Sequence, residues 1–332
     1  MNSNQSISKI ASKYLDTVKL SRSNNTYLTY RNAIHAFLNS LTKNKVNITE
    51  DDISTLTEDA ISWFSNDLKN DAATTESLYL TAAKAFFEYI TAENLAQINL
   101  PRVALLIKQR SRRPGKRLPQ FPADAIEQMT RYFESKDLST IDIKNDLLIE
   151  LRDIAFIITL ADTGLRVHEA CNLRRGDIDW NEGKALVIGK GNRQAVVRFS
   201  QRSETAMRKY FTERAKIDGA CGKPLGALPV FSRHDRGAGK KVIPITPTTG
   251  RLLIKTRVRE ALGEDFSGSI TPHSFRHFFV TRVLSTTGNL KLAQSLARHQ
   301  NIAVTQRYAH LSDDELDKGY YAVFEENLTN ND

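Results

Sequence analysis

The chain has two cysteines in 332 residues, Cys171 and Cys221. That is too few for a disulfide framework, and their spacing is not that of a metal site. No apolar run approaches the roughly 18 residues a membrane span needs. The start, "MNSNQSISKIASKYL", has no apolar signal-peptide core. These absences point to a reducing, cytoplasmic setting with no membrane span. Tryptophan and methionine are scarce, yet 40% of the residues are hydrophobic, enough for a packed core. Acids are in deficit, 38 Asp and Glu against 47 Lys and Arg, for a net charge of +9. A surplus of that size suits a polyanionic partner, and nucleic acid or an anionic membrane surface would both satisfy it.

Two phosphate or metal signatures are also missing. "RGAGKK" at 236–241 looks like part of a phosphate loop. It has His234 where the first glycine belongs and Lys241 where a Ser or Thr must hold magnesium. His273 and His277 are four apart, as zinc ligands can be, but no Glu follows the first and Arg276 would press a cation against the metal. No tight carboxylate group suits a two-metal nuclease. Neither a nucleotide nor a metal is expected.

The first hundred residues read as helical throughout. "TYLTYRNAIHAFLNSL" puts Tyr27, Tyr30, Ile34, Phe37, Leu38 and Leu41 on one face. "TEDAISWFSNDL" repeats the pattern with Ile61, Phe64 and Leu68 behind a cap at Thr57. "TTESLYLTAAKAFFEYI" gathers Ala82, Ala83, Phe86 and Ile90. The stretch 101–122 then carries Arg102, Lys108, Arg110, Arg112, Arg113, Lys116 and Arg117 with no acid, broken by four prolines and Gly115. It reads as a basic linker able to lie along a phosphate backbone. The sequence thus divides into a helical domain (1–100), a linker (101–122) and a second domain (123–332).

The second half mixes elements. "LLIELRDIAFIITLAD" is an apolar helix ending near Gly164. "KALVIGK" and "QAVVRF" read as a hairpin turning at Gly191 and Asn192. "TPTTGRLLIKTRVREALG" is a basic helix whose Arg251, Lys255, Arg257 and Arg259 are candidates for reading bases. Two further helices, "PHSFRHFFVTRVLSTTG" and "NLKLAQSLARH", are separated by Gly288 and Asn289, and the tail has Leu316, Tyr320 and Leu328 at helical spacing. The fold class is mainly α with a small β-sheet in the second half. The stretch 214–246 has no motif that assigns it a role.

Four pieces look like one site. "TGLRVHEACNL" puts Arg166 after a helix-ending glycine, and "TPHSFRHFF" sets His273 and Arg276 one helical turn apart. "ARHQNIAVTQRYAHLS" supplies His299 and Tyr308, and Lys190 sits at the hairpin tip. Each alone has an ordinary structural explanation, such as a capping arginine or a wet lysine. Together they resemble the tyrosine recombinase (phage integrase) family, whose signature runs Arg, Lys, His-x-x-Arg, His or Trp, then Tyr. The matching positions are Arg166, Lys190, His273, Arg276, His299 and Tyr308, with Glu169 as the family's supporting acid. The chain departs where "ARH" replaces the family's "LGH", so that Arg298 stands for a glycine, and where Phe275 replaces a leucine.

The resemblance implies a helical, SAM-like core-binding domain, a mixed α/β catalytic domain, and a tail exchanged between protomers, although the amphipathic tail would equally suit a helix packed on its own protomer. It implies that Tyr308 attacks a DNA phosphodiester to give a 3′-phosphotyrosyl bond. Arg166, Arg276 and His299 would hold the non-bridging oxygens, His273 would take the phenol proton, and Lys190 would protonate the departing 5′-oxygen. Strand exchange would pass through a Holliday junction on double-stranded DNA with specific recombination sites. A homo-tetramer, or a hetero-tetramer with a related recombinase, would carry it out at the nucleoid. Integration, excision and resolution all use this architecture. The rivals are a type IB topoisomerase and a silent DNA-binding relative.

Overall fold

The computed structural model describes residues 5–112, 122–141, 144–189, 194–235, 237–239, 241–299 and 301–306. The chain forms two compact units, Met1–Arg117 and Leu118–Asp332. Among the described residues, no helix is long and apolar enough to cross a membrane.

The first unit is helical: α1 (Ile7–Ser21), α2 (Asn24–Lys43), α3 (Asp59–Asp67), α4 (Ala73–Ala92) and α5 (Leu100–Arg110). The expected faces are the ones that pack. Ile34, Phe37 and Leu41 of α2 are fully buried, as are Ile61 and Phe64 of α3 and Ala82, Ala83, Phe86 and Ile90 of α4. Tyr27, Tyr30 and Leu38 lie at the edge of that core, half-buried. Phe37 is its centre, meeting Phe64, Phe86 and Phe87 edge-on with ring centroids 5.3, 6.3 and 5.8 Å apart. Each such buried ring contributes roughly 1.5–3 kcal/mol. The expected cap at Thr57 is not used; Glu58 precedes α3, and its carboxylate accepts the Asn99 N–H at 2.6 Å instead.

The expected linker is in part a helix. Residues 100–110 form α5 because Pro101 falls in the first turn, where a missing N–H costs nothing, and Asn99 caps it by accepting the Arg102 N–H at 3.0 Å. Val103 is fully buried, so α5 belongs to the first unit's core. Arg112 also folds back: its backbone N–H and Nε donate to the buried Glu76, and its Nη2 to the carbonyls of Leu68 and Asp71. Arg113, Lys116 and Arg117 lie outside the described residues.

In the second unit α6 (Ala123–Ser135) and α7 (Lys144–Thr163) come first. α7 is the central rod: Ile154, Ala155, Phe156, Ile157, Ile158, Leu160 and Ala161 are buried in succession, so it is covered on all sides. α8 (Val167–Asn172) follows, then β1 (Ile178–Asp179), β2 (Lys184–Ile188) and β3 (Gln194–Arg198) in an antiparallel sheet of order β1-β2-β3. Leu186 pairs with Val196 in the expected hairpin. The remaining helices are α9 (Gln201–Ala220), α10 (Pro247–Leu262), α11 (Pro272–Thr287), α12 (Leu290–Ala297) and α13 (Ile302–Gln306). Gly288 ends α11 at φ 61°, and Asn289 starts α12 by accepting the Leu292 N–H at 2.9 Å.

The described residues of 214–246 include a buried clasp. It begins inside α9, where Arg214 is fully buried. Arg214 pairs with Asp218 and donates to the carbonyls of Pro229 and Val230 and to the Ser232 hydroxyl. That clasp holds Phe231 against Phe156 of α7, edge-on at 5.0 Å.

Candidate active site

The candidate groups come from the ends of helices. Gly164 closes α7 at φ +58°, and a Cβ there would lie 2.6 Å from the Phe279 ring, so only glycine fits. Arg166, two residues on, stands at the N-cap of α8. Glu169, at the third helical position, accepts the Arg166 backbone N–H at 2.9 Å and its Nη1 at 2.8 Å. This is one half of a capping box, put to use in orienting a guanidinium. The Glu169 carboxylate is buried, and the N–H and the two guanidiniums around it hold its pKa below the usual range despite that burial. Among the described residues, no acceptor takes the Nε or Nη2 of Arg166.

Arg276 lies one turn into α11 and is buried. Its Nη1 donates to the Gly164 carbonyl at 2.6 Å and its Nη2 to the Ala297 carbonyl. It therefore ties together the C-terminal ends of α7 and α12, where the helix dipoles favour a cation. Burial, with Arg166 and Arg298 nearby, pushes its pKa down to about 9, which still leaves it charged at neutral pH. His273 begins the same helix and is open to the cleft; burial of its packed side, Arg276 and Arg166 lower its pKa from 6.5. His277 stacks edge-on against it, ring centroids 4.2 Å apart. His299 follows the end of α12, and its Nδ1 meets the hydroxyl of buried Thr305 of α13 at 2.8 Å. Its partial burial, with Arg276 and Arg166 next in weight, pushes its pKa down to about 4. These histidines are neutral at pH 7.

A cleft of about 790 Å³ opens beside this group, lined by Arg166, His168, Arg251, Lys255, Arg259, His273 and Arg276, with Glu264 the one acid on its wall among the described residues. Arg251, Lys255 and Arg259 recur every four residues, so one face of α10 presents all three. Arg259 also pairs with Glu264 at 3.4 Å.

Arg257 belongs elsewhere. It sits on the packed face of α10, in ion pairs with Glu150, Asp153 and Glu260, and is not available to a nucleic acid. Two of the basic residues between 101 and 122 are likewise engaged: Arg102 pairs with Glu58 and Asp59, and Arg112 with Glu76. Lys108 and Arg110 are exposed. Lys190 and Tyr308 lie outside the described residues, as does the tail. The structure thus brings together Arg166, Glu169, His273, Arg276 and His299. It adds residues to which the sequence assigned no role: His277 and His168, which lie beside motif residues, and Thr305 and Arg298, whose partnerships no spacing announces.

Residues 121–315 match the model of the phage integrase family. A tyrosine recombinase XerC of Bacillus pumilus is 32% identical over 248 residues, covering 74% of this chain and 73% of that protein. The XerC of a Staphylococcus epidermidis strain is 30% identical over 77% of this chain and 76% of its own. Among solved structures, XerH bound to its difH substrate aligns with a TM-score of 0.65 at 17% identity, covering 95% of this chain and 84% of that one. A lambda integrase dimer on a core site aligns at 0.63, with 17% identity and coverage of 92% and 96%. Those two likenesses bear on the fold, and the sequence matches bear on descent. The family model spans more than half of the chain and a XerC relative is 32% identical over 74% of it, so this chain belongs to the phage integrase family of tyrosine recombinases.

Proposed function

We propose that the cleft around Arg166 and Arg276 is where this site-specific recombinase breaks and rejoins DNA, with Tyr308 as its nucleophile. The observation that carries the reading is convergence. Two guanidiniums and one histidine, from α8 and α11, line one basic cleft, and both guanidiniums lie near enough to His299 of the α12–α13 turn to lower its pKa. Tyr308 follows His299 by nine residues in the sequence.

The chemistry needs each group. A phenol of pKa about 10 is ionised only to roughly 0.1% at pH 7. His273, neutral and open to the cleft, accepts its proton as the oxygen attacks phosphorus. Charge then builds on the non-bridging oxygens. Arg166 meets it with its Nε and Nη2 edge, and Arg276 with a charge that persists at neutral pH. In the tautomer where the Thr305 hydroxyl donates to Nδ1, His299 keeps its proton on Nε2 and adds a donor. Lys190 supplies the proton that lets the 5′-oxygen leave. The phosphotyrosyl bond keeps the diester's energy, and the 5′-hydroxyl of a partner strand attacks it in turn. Arg251, Lys255 and Arg259 hold the flanking phosphates, and Lys108 and Arg110 of the first unit offer phosphate contacts of their own. Four protomers on two sites complete the exchange, with each tail either lent to a neighbour or packed on its own protomer.

The test begins with DNA selected by the protein from a random pool. On a nicked version of the winner, the wild-type chain should form a complex that survives denaturant. Tyr308→Phe should bind with the same affinity and form none. A Tyr308→Phe chain that still links to DNA would refute the assignment.

A further inference from the structure

Arg298 is an unexpected residue in an unexpected conformation. It closes α12 at φ 58° and ψ 40°, a left-handed region that glycine enters freely and an L side chain rarely adopts. Its side chain then turns inward until it is only 10% exposed. Nη2 donates to Glu169 Oε2 at 3.1 Å and to the Gly164 carbonyl at 3.4 Å. Its Nε is buried with no hydrogen-bond partner among the described residues. A strained backbone, a buried cation and an orphaned donor are three unfavourable features at one residue. The compensation is its hold on Glu169, whose side chain is 1% exposed and which also carries Arg166.

We propose that Arg298 is a positioning residue for strand cleavage. By sharing Glu169 it limits Arg166 to a single Nη1 contact with that carboxylate, leaving the Nε and Nη2 edge for the phosphate, and it fixes the net charge of the site. This rests on the reading of the cleft given above. The charge can be counted. Arg166, Arg276 and Arg298 against Glu169 leave two positive charges; glycine at 298 would leave one. A phosphodiester carries one negative charge, and its five-coordinate transition state carries two. The added charge therefore acts more on the transition state than on bound DNA, and so on rate more than on affinity.

Glycine at this position separates the two roles of the residue, because it relieves the backbone while removing the guanidinium. Wild type, Arg298→Gly, Arg298→Lys and Arg298→Gln are compared on a nicked, selected site. Single-turnover formation of the covalent complex, DNA affinity and melting temperature are measured for each. Arg298→Gly should melt at or above the wild-type temperature, bind DNA within about threefold, and cleave roughly 10- to 100-fold more slowly. Arg298→Lys should recover part of the rate. Arg298→Gln, which can still donate to Glu169 but carries no charge, should stay slow. A wild-type rate in Arg298→Gly overturns the proposal, as does a loss that parallels its DNA affinity or its folded fraction. If Arg298→Gly does not fold, a wild-type rate in Arg298→Gln overturns it equally. A wild-type chain that never links to DNA refutes the underlying site and this proposal together. Linkage by wild type with an undiminished Arg298→Gly refutes only the proposal.

Discussion

Lysine in place of Arg166 separates charge from geometry. In the structure the Arg166 guanidinium gives Glu169 only Nη1, at 2.8 Å, and the side chain is 38% exposed. Lysine can keep that ion pair and the positive charge, but it has no planar fork. The fold should barely respond. A part-exposed pair is worth roughly 0–1 kcal/mol. Even its complete loss would move the melting temperature of a unit this size by only about 2–4 °C. What disappears is the Nε and Nη2 edge facing the cleft. Removing one preorganised donor to a developing oxyanion costs roughly 2.7–4 kcal/mol, or about 10²–10³ in rate. Affinity should stay within about threefold, because the phosphate backbone responds chiefly to charge. The assay is single-turnover covalent-complex formation on a nicked site with protein in excess, beside affinity at the same salt concentration. A rate loss under tenfold, or an equal loss of affinity, would show that the fork does not read the transition state.

Four further expectations follow from the charges. His273 must be neutral to accept a proton, and its pKa lies below 6.5, so cleavage should hold its rate down through pH 6.5 and fall only on the acid side. An acid limb at or above 6.5 in the pH–rate profile, or one that survives His273→Gln, would contradict this. The same depression, shared by His277 and His299, makes the unfolded chain bind protons before the folded one does. Stability should then be complete above pH 6.5 and lost as pH falls toward 4, as urea titrations at pH 7 and pH 5 would report. Arg257→Met should cost about 3–5 kcal/mol of stability, because Glu150, Asp153 and Glu260 lose a shared buried cation, while the folded fraction binds DNA normally. Arg251→Ala and Lys255→Ala should do the reverse, each lowering the salt dependence of binding by about one phosphate contact and leaving urea midpoints unchanged.

What could be read from the sequence was what is local. The helical period of Ile34, Phe37 and Leu41 marks a buried face because neighbours three and four apart share it. Gly164, Gly288 and Asn289 announce helix ends for the same reason. The site was legible as an ordered set of residue types, not as geometry. Errors arose where charge is cancelled at a distance. Arg112 and Glu76 are 36 residues apart, and Arg257 and Asp153 are 104 apart. A run of basic residues with no acid in it therefore looked free when part of it is internally paired. Pro101 misled in a different way, since a breaker within a helix is an ordinary residue in its first turn. The tie between Arg298 and Glu169 spans 129 residues, and no spacing rule reaches that far.

Arg276 rests on the carbonyls of Gly164 and Ala297, not on a carboxylate. A cation parked on uncharged dipoles has no counter-ion to abandon when DNA arrives. Exchanging one oxygen acceptor for another strands no bare anion in the interior, and the full unit of charge is available from the first moment of contact. On the reading proposed above the empty site is already primed, with its most buried arginine kept ready by main-chain atoms that no side-chain substitution can remove.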